Sequence, residues 1–213
     1  VRERPAGPNA VLLDFTGHPA GLDAVTVAAD AIARAVDDGS LAGISEVIPA
    51  ASTLLVQADG PIDALGIRRA LRGIELDDAE PAASSSIEIA VRYDGPDVDE
   101  VGELLGLSRQ GVLDAHACTR WRVAFIGFAP GFGYLVPEHD TPLATLSRRA
   151  QSRPRVAAGT VAVAAGYSAV YPTDSPGGWY LLGHTDFDLW NLDREPPARL
   201  TPGTWVRFVS ERR

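Results

Sequence analysis

Four arginines fall within eight residues: Arg148, Arg149, Arg153 and Arg155. In a chain of net charge −9 such a run offers forked guanidinium donors suited to a carboxylate or a phosphate. The alternative use is a solvated loop paired with surface acids. Arg153 and Arg155, which abut the Gly159 turn, are the expected anion-binding pair. Two glycine turns, Pro130-Gly131 and Gly177-Gly178, allow positive φ and close approach of a ligand or of another backbone segment. Phe132, Tyr134, Tyr171 and Trp179 flank them and would wall a pocket with apolar bodies and polar tips. Ser175 opens the Ser175-Pro176-Gly177-Gly178-Trp179 block and joins this substrate-binding set, but it lies in no Gly-x-Ser-x-Gly elbow, so a hydrolase triad is unsupported. Asp174 beside it serves equally as a turn acid or a base.

Among the four histidines, His116 is the candidate catalytic residue, as a general base. It lies four residues after Val112 and three after Leu113, so it shares their apolar face. A buried, hydrogen-bonded structural histidine is the competing reading. His184 is less favoured, and His18 and His139 sit beside prolines or in loops and receive no role. No histidine–acid group has metal-ligand spacing, so no metal is expected. Cys118, the single cysteine, is expected as a small buried thiol, and with no partner for a disulfide it implies a reducing compartment.

These residues need elements to hold them. Ala10 to Phe15 reads as a strand. Leu22, Val25, Ala28, Ala29, Ile32, Ala33 and Val36 follow helical spacing and end at Asp38-Gly39. Ile44 to Ile48 and Thr53 to Gln57 read as strands. A second helix carries Ile62, Leu65, Ala70 and Leu71, with Pro61 near its first turn. This β-α-β-β-α order predicts a small α+β domain of split-βαβ type over residues 1–80. Asp77 to Ser86 is acidic, Ala/Ser-rich and broken by Pro81. It reads as a linker, with 81–86 as the boundary segment and 87–213 as the second domain. Ile87 to Tyr93 reads as a strand, and Asp97 with Glu100 as a reciprocal cap for a short helix to Leu105. Ser108 caps a helix to about Cys118. From Trp121 onward, short apolar runs cut by glycine and proline predict a closed or nearly closed β-structure.

The composition excludes several functions. An acidic chain lacks the basic face of a nucleic-acid binder and the attraction for anionic lipid. No apolar run approaches the ~20 residues of a membrane span. Val1 to Pro5 has no apolar signal region, and the absence of methionine implies that an initiator residue precedes Val1. All 19 basic residues are arginine. Without lysine there is no P-loop, no Schiff base and no biotinyl or lipoyl carrier side chain, so a partner must bring such a group if the reaction needs it.

Several blocks line up in order: Val91 to Asp97; His116; Ile126-Gly127-Phe128-Ala129-Pro130-Gly131-Phe132-Gly133-Tyr134-Leu135; the arginine run into Val156 to Val161; Tyr171-Pro172; Ser175 to Trp179; and Leu200 to Phe208. Together they resemble the family that includes KipI, the B subunit of 5-oxoprolinase, and allophanate hydrolase subunit 1, also described as carboxyltransferase subdomains C and D. Asn9 to Phe15 fits it more loosely. The resemblance implies an α+β fold: a small N-terminal domain followed by a cyclophilin-like β-barrel. The sequence departs from the family pattern at Ala157, at Thr160, at Tyr167-Ser168-Ala169 and at His184 and Asp186. There the pattern has proline, serine, Gln-Thr-Gly, arginine and proline.

The resemblance further implies one subunit of a cytoplasmic heteromeric hydrolase. The expected partners are a chain like the C subunit of 5-oxoprolinase or allophanate hydrolase subunit 2, and a third chain like the A subunit of 5-oxoprolinase. The expected reaction converts 5-oxo-L-proline, ATP and water to L-glutamate, with ATP as co-substrate of the complex. An allophanate hydrolase or urea carboxylase-like carboxyltransferase role is the alternative. From another class, the chain would inhibit a histidine kinase as KipI does.

Overall fold

The computed structural model describes residues 1–19, 21–72 and 85–211. The chain divides into two units, Val1–Ala83 and Ser84–Arg213. Most of the expected linker, 77–84, lies outside the described residues, and Ser86 already opens a strand.

The first unit runs β1 (Arg2–Pro5), β2 (Ala10–Asp14), α1 (Gly21–Asp37), β3 (Ile44–Pro49), β4 (Thr53–Ala58) and α2 (Ala64–Ala70). Its sheet has the order β1-β2-β4-β3, every neighbour antiparallel. β2 and β3 are therefore parallel, joined through α1, with β4 between them: the expected split βαβ. Alternation puts Val11 and Leu13 of β2 and Leu54 and Val56 of β4 into one core. Ala24, Val25, Ala28, Ile32 and Ala35 of α1 close over it, the alanines permitting close approach. Two features differ from expectation. β1 is entirely exposed and carries no apolar alternation; it is held by its ladder to β2 and by the pairs Arg4–Asp14 (2.8 Å) and Arg68–Glu3 (2.6 Å). The second helix starts not at Pro61 but after Asp63, whose Oδ1 accepts the Gly66 amide at 2.8 Å.

The second unit opens with β5 (Ser86–Val91), α3 (Val98–Leu105), α4 (Arg109–Cys118), β6 (Arg120–Ile126) and β7 (Gly133–Pro137). A 3₁₀ turn, Pro142–Thr145, leads to β8 (Arg153–Val156), β9 (Thr160–Ala164), β10 (Tyr167–Val170), β11 (Ser175–Gly177), β12 (Tyr180–His184) and β13 (Trp205–Ser210). Seven strands form one sheet in the order β12-β9-β10-β7-β6-β13-β5, and β8 pairs with β11 as a separate ribbon. The sheet curls until its edges meet. Arg92, just past β5, bridges His184 at the end of β12, and the amides of Gly95 and Asp97 donate to the carbonyls of Leu182 and Leu181. Glycine is required on both sides of this seam. A Cβ at Gly183 would lie 2.2 Å from the Arg92 carbonyl oxygen, and one at Gly95 2.2 Å from that of Leu181. The barrel is thus nearly closed, as expected, and filled by Trp121, Val123, Leu135, Val161, Val163, Val170, Leu182 and Phe208.

Ser108 caps α4 as expected, accepting the Gly111 amide at 3.0 Å. Asp97 does not behave as expected. It precedes α3 but makes no side-chain cap. Its carboxylate turns inward, 3% exposed as a residue, to accept the Leu181 amide at 2.7 Å, Arg153 at 2.6 Å and Arg149 at 3.2 Å. Three charge-assisted donors outcompete one helix-end amide. β9 and β10 are joined by the two residues Ala165 (φ 52°) and Gly166 (φ 83°), the positive-φ pair of a tight hairpin turn.

Candidate functional site

Three chain segments converge on Gly159, which follows β8 and precedes β9. Its amide donates to the Tyr171 carbonyl at 2.7 Å, and its carbonyl accepts the Thr185 amide at 2.9 Å. Gly159 has φ +78°, and a Cβ there would fall 2.3 Å from the Thr185 oxygen and 2.5 Å from the His184 ring. Only glycine meets both demands. Beside it opens a cleft of about 280 Å³, with His184, Asp186, Asp188, Tyr171 and Trp190 among its lining residues. His184 Nε2 stands 3.4 Å from Asp186 Oδ1, and Arg92 holds the same carboxylate at 3.1 Å. The Arg92 hydrogen bond keeps the Asp186 carboxyl below its usual range, so the acid is charged beside the imidazole. The departures at His184 and Asp186 therefore face one cleft. In sequence, His184 ranks below His116 as a catalytic histidine, and only the departure from the family pattern marks Asp186.

His116 lies elsewhere, inside the barrel, and is fully buried. Nδ1 meets the Tyr93 hydroxyl and Nε2 the Ser168 hydroxyl, each at 2.8 Å. Its ring packs on Phe208, with centroids 4.4 Å apart. Burial pushes its pKa down to about 3, and pushes the Tyr93 phenol up. Of the two readings of His116 the structural one fits and the general base does not: the imidazole is neutral with both nitrogens engaged, a core connector with neither nitrogen open to a substrate. Cys118 corrects another expectation. It is exposed rather than buried, because α4 ends there and turns it outward.

The arginine run splits by partner. Arg153 binds Asp97 and the Trp179 carbonyl. Arg155 forks onto Asp174 at 2.9 Å through Nε, and Asp174 also accepts the Ala158 amide, the main cause of its lowered pKa. Asp174 is thus a turn acid. Arg149 binds Asp97 and Glu100 and lies 5.3 Å over the Tyr180 ring. The pair expected to bind an anion is thus committed to protein carboxylates on two different elements. Arg148 has no hydrogen-bonded or ion-paired partner among the described residues, and its charge reaches the Tyr134 and Tyr171 hydroxyls.

The expected aromatic residues do come together. Phe132 packs edge-on against Tyr134, Tyr171 and Trp179 at 5.0, 5.3 and 5.8 Å. Gly177 lies against the Tyr171 hydroxyl, which a Cβ would meet at 2.3 Å, and Gly178 against Ser152. Tyr171, Trp179 and Phe132 are buried, so they form a floor, while Tyr134 is half-buried. Phe128 stands out from the same cluster, 60% exposed with φ 69°. Ser175 spends its hydroxyl on the Thr173 carbonyl at 2.9 Å. Among the described residues no group of histidine, cysteine and acid could hold a metal, and no helix is long and apolar enough to cross a membrane.

The chain is similar to known proteins. The chain is 38% identical to the 5-oxoprolinase B subunit from Escherichia coli O157:H7 over 179 residues, 79% of each chain. The solved structure of TTHA0988 superposes with a TM-score of 0.78 at 35% identity, covering 96% of this chain and 40% of that one. The Kluyveromyces lactis urea amidolyase superposes with a TM-score of 0.72 at 19% identity, over 98% of this chain and 15% of that one, which is a likeness of fold. The chain spans less than half of both structures. The model of the carboxyltransferase domain, subdomain C and D, matches residues 1–200. With its barrel, its glycine turns and its aromatic floor, the chain belongs to that carboxyltransferase subdomain C and D family.

Proposed function

We propose that this chain is one component of a heteromeric ATP-dependent amide or lactam hydrolase, of the kind that converts 5-oxo-L-proline to L-glutamate. The observation that carries the reading is the 38% identity with a 5-oxoprolinase B subunit across 79% of both chains. A lactam resists water because attack must break amide resonance. Phosphoryl transfer from ATP to the lactam oxygen removes that resistance; one water then opens the ring and a second accounts for release of phosphate. The chain has no lysine and so no P-loop; if the reaction uses such a site, partner subunits of the A or C type supply it. Its own contribution is the cleft beside Gly159. There Asp186 stands 3.4 Å from Nε2 of His184, and the imidazole is the group that would exchange a proton with a ligand. The barrel seam and the Gly159 turn hold that pair in place.

The departures at His184 and Asp186 favour a second reading, in which the cleft takes a related amide such as allophanate or urea. The test is glutamate release from 5-oxoproline and ATP by the chain purified with its partner subunits, each omitted in turn. Glutamate that needs ATP and every one of the partners supports the first reading. A complete, folded complex that makes none overturns it; turnover of allophanate or urea then supports the second. Binding of a histidine kinase without turnover points instead to the regulatory class.

A further inference from the structure

We infer that Arg148 and the Tyr134 hydroxyl, over the floor made by Tyr171, form a receptor for a compact oxyanion, a carboxylate or a phosphate. The inference deepens the proposed hydrolase function and rests on it only for the identity of the anion.

Of the four arginines in the run, three are held by carboxylates: Arg149 and Arg153 by Asp97, Arg155 by Asp174. Those contacts anchor the segment. The Arg149 amide also donates to the Gly178 carbonyl at 2.9 Å, which pins the residue after Arg148 beside the Gly177-Gly178 turn. Gly177 touches the Tyr171 hydroxyl, and Trp179 packs 5.8 Å from Tyr134. The backbone of Arg148 is thus fixed next to two phenols while its guanidinium remains exposed.

Neither the Tyr134 nor the Tyr171 hydroxyl has a hydrogen-bond partner among the described residues, and a third phenol, Tyr167, stands with its ring 5.6 Å from Tyr134. Burial raises the pKa of all three, and the positive charge of Arg148 opposes that rise at Tyr134 and Tyr171. They remain neutral O–H donors. A guanidinium whose backbone is tied beside this phenol cluster, and which pairs with no carboxylate among the described residues, is matched to a planar or tetrahedral oxyanion. In a chain of net charge −9, such an uncompensated donor group selects a small anion over a polyanion.

The test is calorimetric titration of the full chain, alone and with its partner subunits, using three probes: 5-oxo-L-proline, inorganic phosphate and the uncharged lactam 2-pyrrolidinone. Arg148→Gln should weaken the preferred anion by about tenfold or more, and Tyr134→Phe by severalfold. Arg109→Gln, on a remote surface pair with Asp99, should change nothing. A preference for 5-oxoproline over phosphate assigns the site to the substrate carboxylate, and the reverse assigns it to a phosphoryl group; 2-pyrrolidinone should show no dependence on Arg148. Equal anion affinity in wild type and Arg148→Gln overturns the inference, as does failure of wild type to bind either anion. If the complex makes no glutamate yet phosphate binding depends on Arg148, the receptor stands and the 5-oxoproline function falls.

Discussion

Arg92 and His184 exchange both of their backbone hydrogen bonds, each at 2.8 Å, and that pair helps tie the two edges of the seven-stranded sheet together. The same two residues meet again through their side chains at Asp186. Closure of the barrel and construction of the cleft are therefore one event. Gly183→Ala, which forces a Cβ onto the Arg92 carbonyl, should destabilise the chain by roughly 3 kcal/mol and impair cleft function with it. Chemical denaturation checks the first effect. An unchanged denaturation midpoint would show that the seam opens freely.

Asp97 gathers the Leu181 amide and two guanidiniums while almost wholly buried. Asp97→Asn removes the charge that holds Arg149 and Arg153 and should cost about 3 kcal/mol. Loss should appear as a lower urea midpoint. Because Arg149 positions the Arg148 backbone, anion affinity should fall as well.

His116 predicts a pH signature. Its folded pKa of about 3 lies below the ~6.5 of an unfolded histidine, so between those values only the unfolded chain takes up the proton. Its contribution is complete above about pH 6.5 and is lost as pH falls toward 3, at up to about 1.4 kcal/mol per pH unit. His116→Gln should be less stable at pH 7 but should flatten this slope. Denaturation curves from pH 7 to pH 4 compare the two, and parallel slopes would refute the assignment.

Ala165 occupies a left-handed position that glycine or asparagine fills at lower cost, and its amide is tied to the Leu146 carbonyl at 2.6 Å. Ala165→Gly should stabilise the hairpin by about 1 kcal/mol, read as a raised melting temperature.

In the complete complex, His184→Gln should lower kcat by roughly a hundredfold or more, with KM less affected. Asp186→Asn should do so to a smaller degree, since it orients the imidazole. A change confined to KM would make His184 a binding group only.

The local signals of α1, α4 and the β2–β4 pair hold. The spacing in α1, the Ser108 cap and the alternation of β2 and β4 each depend on neighbours a few residues apart. The ordered glycine and aromatic blocks located the aromatic floor. What could not be read were long-range choices of partner. Asp97 looks like a helix cap until Arg149 and Arg153, more than fifty residues away, claim it. For the same reason Arg153 and Arg155 looked free and Arg148 unremarkable. His116 was placed on an apolar face, but its hydroxyl partners lie on other elements. β1 has no pattern of its own because its stability comes from the ladder it joins.

The pairing of β5 with β13 is parallel and unbroken, from Ser86 beside Trp205 to Val91 beside Ser210. These are the first and last strands of the second unit, so the chain enters at one end of the pair and leaves at the other. Tension applied through those two points drags the strands past each other and strains the whole ladder at once, rather than peeling it open bond by bond. Pulling at those two points therefore meets the resistance of all six residue pairs together.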